Sequence, residues 1–348
     1  ETLLIEREYL LGGLATLGLV TIYLPLCDGR GRQVTFGVAE ELLRLAIAHG
    51  AEATPEGWLR GEKQDEQTPR FEARFNPHLL ALEMERLLLE NGVEILYGAT
   101  VRGAVAQGQK IDAAIIESKS GRFAVRAKAF IDCTGDVDLC ALVGEETAVY
   151  KMGNTPAAWH YRIADGRPSL ILRGAADEPA GAVSAVKPLT DERFTGLDVW
   201  EVSRLTRFCH NRILREAVGE LREHPDHVPL TLPAIPQLRM TRRLEGLYTM
   251  KASDMGADFP DAVGFVGSWR ERGPVFAVPF RALVGRKYTN LLAAGRAISA
   301  SDDLWDLTRV IPACALTGEA AGEAAAVAGN FHTLNIERLS VHRRAKSC

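Results

Sequence analysis

Asn76-Pro77 opens a stretch in which Leu80, Met84, Leu87 and Leu88 recur on one helical face. The stripe stops at Gly92, and the apolar run Val93 to Tyr97 follows at once. Asparagine accepts hydrogen bonds from the free amides of a helix start, and proline at the first helical position gives up an N–H that has no partner there. Glycine takes the left-handed conformation that ends a helix. A helix over about 77–91 that runs straight into a buried strand is half of an α/β unit. Other segments follow the same grammar. Thr2-Leu3-Leu4-Ile5 reads as a buried strand closing on Glu6-Arg7, and Val38 to His49 as an amphipathic helix with Gly50 as its stop. Residues 52–74 are polar and charged and read as a surface excursion. Val101–Ala106, Ile111–Glu117 and Arg122–Ile131 are separated by Gly108 and by Ser118-Lys119-Ser120-Gly121. They read as a three-stranded meander whose last strand delivers Asp132-Cys133-Thr134-Gly135-Asp136.

From about 148 to 275 prolines become frequent, and one long helix stands out over Trp200–His224, with Val202, Leu205, Phe208, Leu214, Ala217 and Leu221 as its stripe. The α/β pattern returns near Val275, with a strand at Asn290–Ala294, a turn at Gly295-Arg296 and a small-residue helix over Ala313–Gly329 that contains Gly318 and Gly322. The expected organisation is an α/β body over 1–147, an inserted α+β cap over 148–275, the body resumed over 276–335, and a tail at 336–348.

Composition removes several classes of function. With 348 residues, 47% of them hydrophobic, the chain is neither disordered nor dependent on metal or disulfide staples. A net charge of -4 offers no basic field for nucleic acid or an anionic membrane. The cysteines Cys27, Cys133, Cys140, Cys209, Cys314 and Cys348 show no CxxC spacing and no zinc-like cluster with histidine. Reduced thiols suit a cytoplasmic setting. Tyr9 to Cys27 carries no charge, but Gly12, Gly13, Gly18 and Pro25 interrupt it, so it reads as buried loop and strand rather than a membrane span.

The residues able to carry chemistry are individually ordinary. Glu6 is a solvated strand-end charge or the acid that bonds a ribose in dinucleotide folds. Gly12-Gly13-x-x-Thr16 is a tight turn or a backbone approach to phosphate. Thr134-Gly135-Asp136 is a strand-to-helix turn or part of a nucleotide site. Gly295-Arg296, with a helix starting after Arg309, is a packing turn or an anion site at a helix N-terminus. Arg242 and Arg243 are interface ion-pair formers or a carboxylate clamp. His160 is a structural histidine or an acid–base group.

Together and in this order they resemble the FAD-dependent oxidoreductases of the glutathione-reductase-like class, related to the fumarate reductase and succinate dehydrogenase flavoproteins. The matching stretches are LLIEREYLLGGLAT (3–16), FNPHLLALEMERLLLENGVEILYGATV (75–101), AKAFIDCTGDVD (127–138), RMTRRLEG (239–246), NLLAAGRAISAS (290–301) and TRVIPACALTGEAAGEAAAVA (308–328), whereas 148–235 matches poorly. The resemblance implies a Rossmann-like FAD-binding domain and hydride transfer between a small organic substrate and noncovalent FAD. It implies that Glu6, with Arg7 beside it, meets the adenosine ribose, and that Gly12, Gly13 and Thr16 line the pyrophosphate and flavin edge. Val101 would meet the adenine through its backbone. Thr134, Gly135 and Asp136 would close the nucleotide site, and Gly295 and Arg296 would lie by the ribityl or pyrophosphate portion. Arg309 and Arg242 are the expected catalytic contacts. The family's first strand, GxGxxG loop and following helix, about 30 residues, have no counterpart here. The chain is therefore expected to be a fragment of a longer protein and poorly stable alone. The alternatives are an NAD(P)-dependent dehydrogenase and a non-catalytic nucleotide-binding paralogue. The electron acceptor, the substrate and the oligomeric state are not written in the sequence.

Overall fold

Asn76 caps its helix as its position predicts: its side chain accepts from the amides of His78 and Leu79, and the helix runs over Pro77–Glu90. Gly92 follows with φ at +72°. The next strand, Val93–Leu96, pairs in parallel with Thr2–Ile5. This is a computed structural model, and it describes residues 1–49, 71–174 and 187–346. Most of the expected excursion over 52–74, and the stop at Gly50, lie outside the described residues.

A second parallel pair joins Phe130–Asp132 to Leu291–Ala293, bringing together segments some 160 residues apart. Among the described residues, Thr2–Ile5 and Phe130–Asp132 each have a single hydrogen-bonded neighbour strand. The meander forms over Ala99–Gln107, Lys110–Ser118 and Gly121–Arg126. Its last strand does not continue to Ile131, as the sequence pattern suggested. The buried Asn290 explains the break. Its side-chain amide donates to the carbonyls of Ile111 and Lys128, its Oδ1 accepts from Ile111, and its own carbonyl accepts from the Phe130 amide. The chain leaves the meander and starts a new strand beside Leu291, and Asp132 arrives on that strand.

Between these parts lies a three-stranded antiparallel sheet, His160–Ala164 flanked by Arg167–Ile171 and Val228–Thr231. The long helix is Val199–Glu223, capped by Asp198. Its buried line is Leu205, Cys209 and Ile213, with Val202 partly covered, packed on Ala158, Phe194 and Leu238. Of the expected stripe, Leu205 is buried and Val202, Ala217 and Leu221 are partly covered, but Leu214 is 61% exposed and Phe208 also faces solvent. Cys209 counts as apolar when buried, and it supplies the step that the leucine-based reading lacked.

The main apolar core gathers the hairpin Ala262–Gly267/Val275–Pro279, the segment 280–300 and the helix Ile311–Val327. A neighbouring core joins the meander to both the Asp138–Val143 helix and the Leu291–Ala293 strand. Helices and strands are thus mixed throughout. Among the described residues, no helix is long and apolar enough to cross a membrane.

Candidate functional site

The loop after Phe130–Asp132 is organised by Asp132 itself. This buried carboxylate accepts from the Thr134 amide at 3.1 Å and the Thr134 hydroxyl at 2.7 Å, and its second oxygen accepts from the Cys140 amide at 2.9 Å. Thr134 Oγ1 then accepts from the Asp138 amide. Asp132 and Thr134 therefore satisfy the first amides of the Asp138–Val143 helix. Gly135 follows Thr134 with φ at +85°, and a Cβ there would stand 2.7 Å from Arg296 Nε. Glycine is needed on both counts.

Arg296 is fully engaged. Its guanidinium donates to Asp136 Oδ1 at 2.8 Å and to the carbonyls of Leu238 and Arg239, each at 3.1 Å. Its own carbonyl accepts from Trp305 Nε1. Asp136 also accepts from the buried Thr241 hydroxyl. Arg242 donates through Nε to the Asp136 carbonyl at 2.8 Å and pairs with Asp138 at 2.7 Å. Thr134, Gly135, Asp136, Arg242 and Arg296 are thus brought together, and Arg242 spends its charge on the loop rather than on open space.

Glu6 ends its strand with one carboxylate oxygen accepting from the Glu8 amide, while its backbone bonds Leu96 and Ala99. Arg7 is exposed and pairs with Glu8. Gly12 and Gly13 both have positive φ, 102° and 52°, and open a short 3₁₀ turn over Gly13–Ala15. Thr16 is buried beneath it, its hydroxyl donating to the Leu11 carbonyl at 2.5 Å. A Cβ on Gly12 would strike Thr16 at 2.6 Å, whereas one on Gly13 would meet nothing within 4 Å. Val101 lies in the first meander strand opposite Ile116.

Gly295 has φ at +83°, and no atom lies within 4 Å of where its Cβ would stand. Its amide donates to Thr317 Oγ1 on the helix Ile311–Val327. No side chain caps the start of that helix. Arg309 sits just before it and ends the short helix Trp305–Thr308. Cys133 and Cys314 face the same region. Cys133 is an exposed residue, and burial of its thiol, with Asp132 and Cys314 adding to it, pushes that thiol up to about 12. Burial pushes Cys314 up to about 11 against the pull of Arg296 and Arg309.

His160 is buried, with Nδ1 at 3.1 Å from the Ala158 carbonyl. Burial lowers its pKa, so the ring is neutral at neutral pH. Sequence reasoning missed Asp132, Thr241, Gln237 and Thr317. Only Asp132, directly after a strand and two residues before a threonine, carried a local signal.

A family model described as FAD dependent oxidoreductase matches residues 1–158 and 190–342. Among solved structures the chain is similar to CabE, an aromatic hydroxylase from angucycline biosynthesis, at 13% identity and a TM-score of 0.47, over 100% of this chain and 66% of that one. It is similar to BexE of BE-7585A biosynthesis at 15% identity and 0.44, over 93% of this chain and 57% of that one. It also matches OxyS anhydrotetracycline hydroxylase from Streptomyces rimosus at 14% identity and 0.38, over 93% of this chain and 56% of that one. The chain thus spans a little over half to about two thirds of the length of these proteins. No curated protein matches the sequence.

Proposed function

Because the chain belongs to the FAD dependent oxidoreductase family, we propose that it transfers a hydride between a small organic molecule and noncovalently held FAD. FAD is the cofactor, and when bound it supplies the redox chemistry. The observation that carries the placement is the open face of Gly295, beside an uncapped helix start. Backbone without a Cβ at Gly13 and Gly295 fits close approach of a dinucleotide. The Glu6 carboxylate would accept from the ribose hydroxyls, with Arg7 alongside. Gly12, Gly13 and Thr16 would shape the loop along the pyrophosphate. Val101 would meet the adenine by its backbone, and Thr134, Gly135 and Asp136 would close the nucleotide site. Gly295 and Arg296 would flank the ribityl portion. The partial positive charge at the start of Ile311–Val327 would favour negative charge placed there.

Arg309 is our candidate for touching the substrate or the isoalloxazine. Arg242 acts on the loop it holds, through Asp136 and Asp138. We keep 1–147 and 276–335 as a Rossmann-like cofactor body, 148–275 as the substrate-recognising insertion and 336–348 as the tail. The hairpin at 262–279 packs in the same core as the helix Ile311–Val327, which supports a close seat of the insertion's last residues on that body. The free thiols support a reducing, cytoplasmic compartment.

The test is anaerobic reduction. Small organic acids, alcohols and amines are added to the flavin-loaded full-length protein while the visible absorbance is followed. Bleaching by one class supports the reading. Bound FAD that no small organic molecule reduces, and whose reduced form none reoxidises, contradicts it. Arg309→Met is expected to slow the productive reaction by about 10²-fold or more.

A further inference from the structure

Six consecutive residues, 237–242, touch both the expected cofactor loops and the segment 154–159 that leads into the inserted sheet. Toward the sheet, Gln237 Oε1 accepts from the Trp159 amide at 2.9 Å, and the Arg239 guanidinium lies 4.3 Å over the Trp159 ring. Asn154 Oδ1 accepts from the amides of Arg239 and Met240. Toward the cofactor side, Gln237 Nε2 donates to the Gly18 carbonyl at 2.5 Å, at the far end of the glycine loop. The carbonyls of Leu238 and Arg239 accept from Arg296, Thr241 donates to Asp136, and Arg242 holds Asp136 and Asp138. Gln237, Arg239 and Thr241 are all buried, so these bonds form out of competition with water.

We propose that the 237–242 segment is the positioning element of the site, setting the glycine loop, the 134–138 loop and the Gly295-Arg296 turn in register with the sheet centred on His160–Ala164. The inference rests on the FAD reading above. Its residues act through the loops they hold, so they are positioning residues rather than catalytic ones. A side chain that only fills space would matter for stability alone. One that sets loop geometry must also alter how the cofactor is held.

The variants are Thr241→Val, which loses the donor to Asp136 but keeps the shape, Thr241→Ser, which restores it, and Gln237→Met. Arg242→Lys is the second line, keeping the charge but not the two-point grip on Asp136 and Asp138. In the full-length protein we expect Thr241→Val and Gln237→Met each to weaken FAD binding by about tenfold. We expect both to change the circular dichroism of bound flavin, and Thr241→Ser to restore both readouts. In the FAD-free protein, amides 134–138 should exchange faster with solvent in Thr241→Val and not in Thr241→Ser. If Thr241→Val does not fold, Arg242→Lys should show the same faster exchange and weaker binding. Variants that melt earlier but keep wild-type FAD affinity, flavin dichroism and amide exchange overturn the proposal and leave the FAD reading standing. A wild-type protein that takes up no FAD overturns both.

Discussion

At Gly135 two constraints meet. Its φ of +85° is one that a residue with a Cβ adopts at a cost of about 1–2 kcal/mol, and the added methyl would also displace Arg296 from Asp136. Gly135→Ala should therefore lower unfolding free energy by at least that amount in a denaturant melt and weaken FAD uptake with it. Gly13→Ala, where no protein atom is near, should show only the backbone cost in the melt, while its methyl obstructs the dinucleotide and weakens FAD uptake. Asp132→Ala removes the acceptor for three donors, and hydrogen bonds to a charged group are worth about 1.5–3 kcal/mol each. It should cost several times what an exposed substitution does. Burial pushes the Cys133 thiol up to about 12, so its alkylation in the folded protein near pH 8 should be much slower than that of a free thiol.

His160 carries the pH dependence. Burial lowers its folded-state pKa below the ordinary 6.5, so between the two values the unfolded chain binds more protons than the folded one. Stability therefore rises with pH across that window and is lost as pH falls below about 6.5. His160→Gln should flatten this acid-side loss, which melts at pH 7.5 and 5.5 would show. A wild-type melt unchanged between those values contradicts the assignment.

At the scale of elements, the helix Val199–Glu223 shows what periodicity conveys and where it stops. Its existence and ends follow from the sequence, because Asp198 caps it and its apolar residues recur at helical spacing. Its phase follows only in part, because Phe208 and Leu214 are apolar yet face solvent and the line that packs includes Cys209. Ile213→Ala should destabilise by about 2–5 kcal/mol, and Leu214→Ala by less than about 0.5 kcal/mol. Equal effects would contradict the observed phase. The meander strand that stops at Arg126 makes the related point. Local pattern showed an apolar run up to Ile131, but Asn290, distant in sequence, decides where it breaks.

At the scale of the molecule, the strands, the meander, the Asn76 cap and the glycine turns were legible because each depends on residues close in sequence, whereas the two parallel pairings join distant segments and were not. The family stretches placed the loops of the site in order. The bonds between the loops were not legible. Arg296 to Leu238, Thr241 to Asp136 and Gln237 to Gly18 join positions separated by 58 to 219 residues, and no spacing rule connects such pairs. For that reason Arg242 read equally as an interface ion-pair former or a carboxylate clamp, and the fold pairs it with Asp138.

The central claim is that this chain's loops hold FAD. The most direct test is the flavin content of the purified full-length protein, released by denaturation and separated by chromatography, before and after incubation with FAD or with NAD(P). The account predicts FAD bound at one per chain, released on denaturation and reduced by Gly135→Ala. A protein that remains colourless after incubation with FAD, or that takes up NAD(P) in its place, contradicts it.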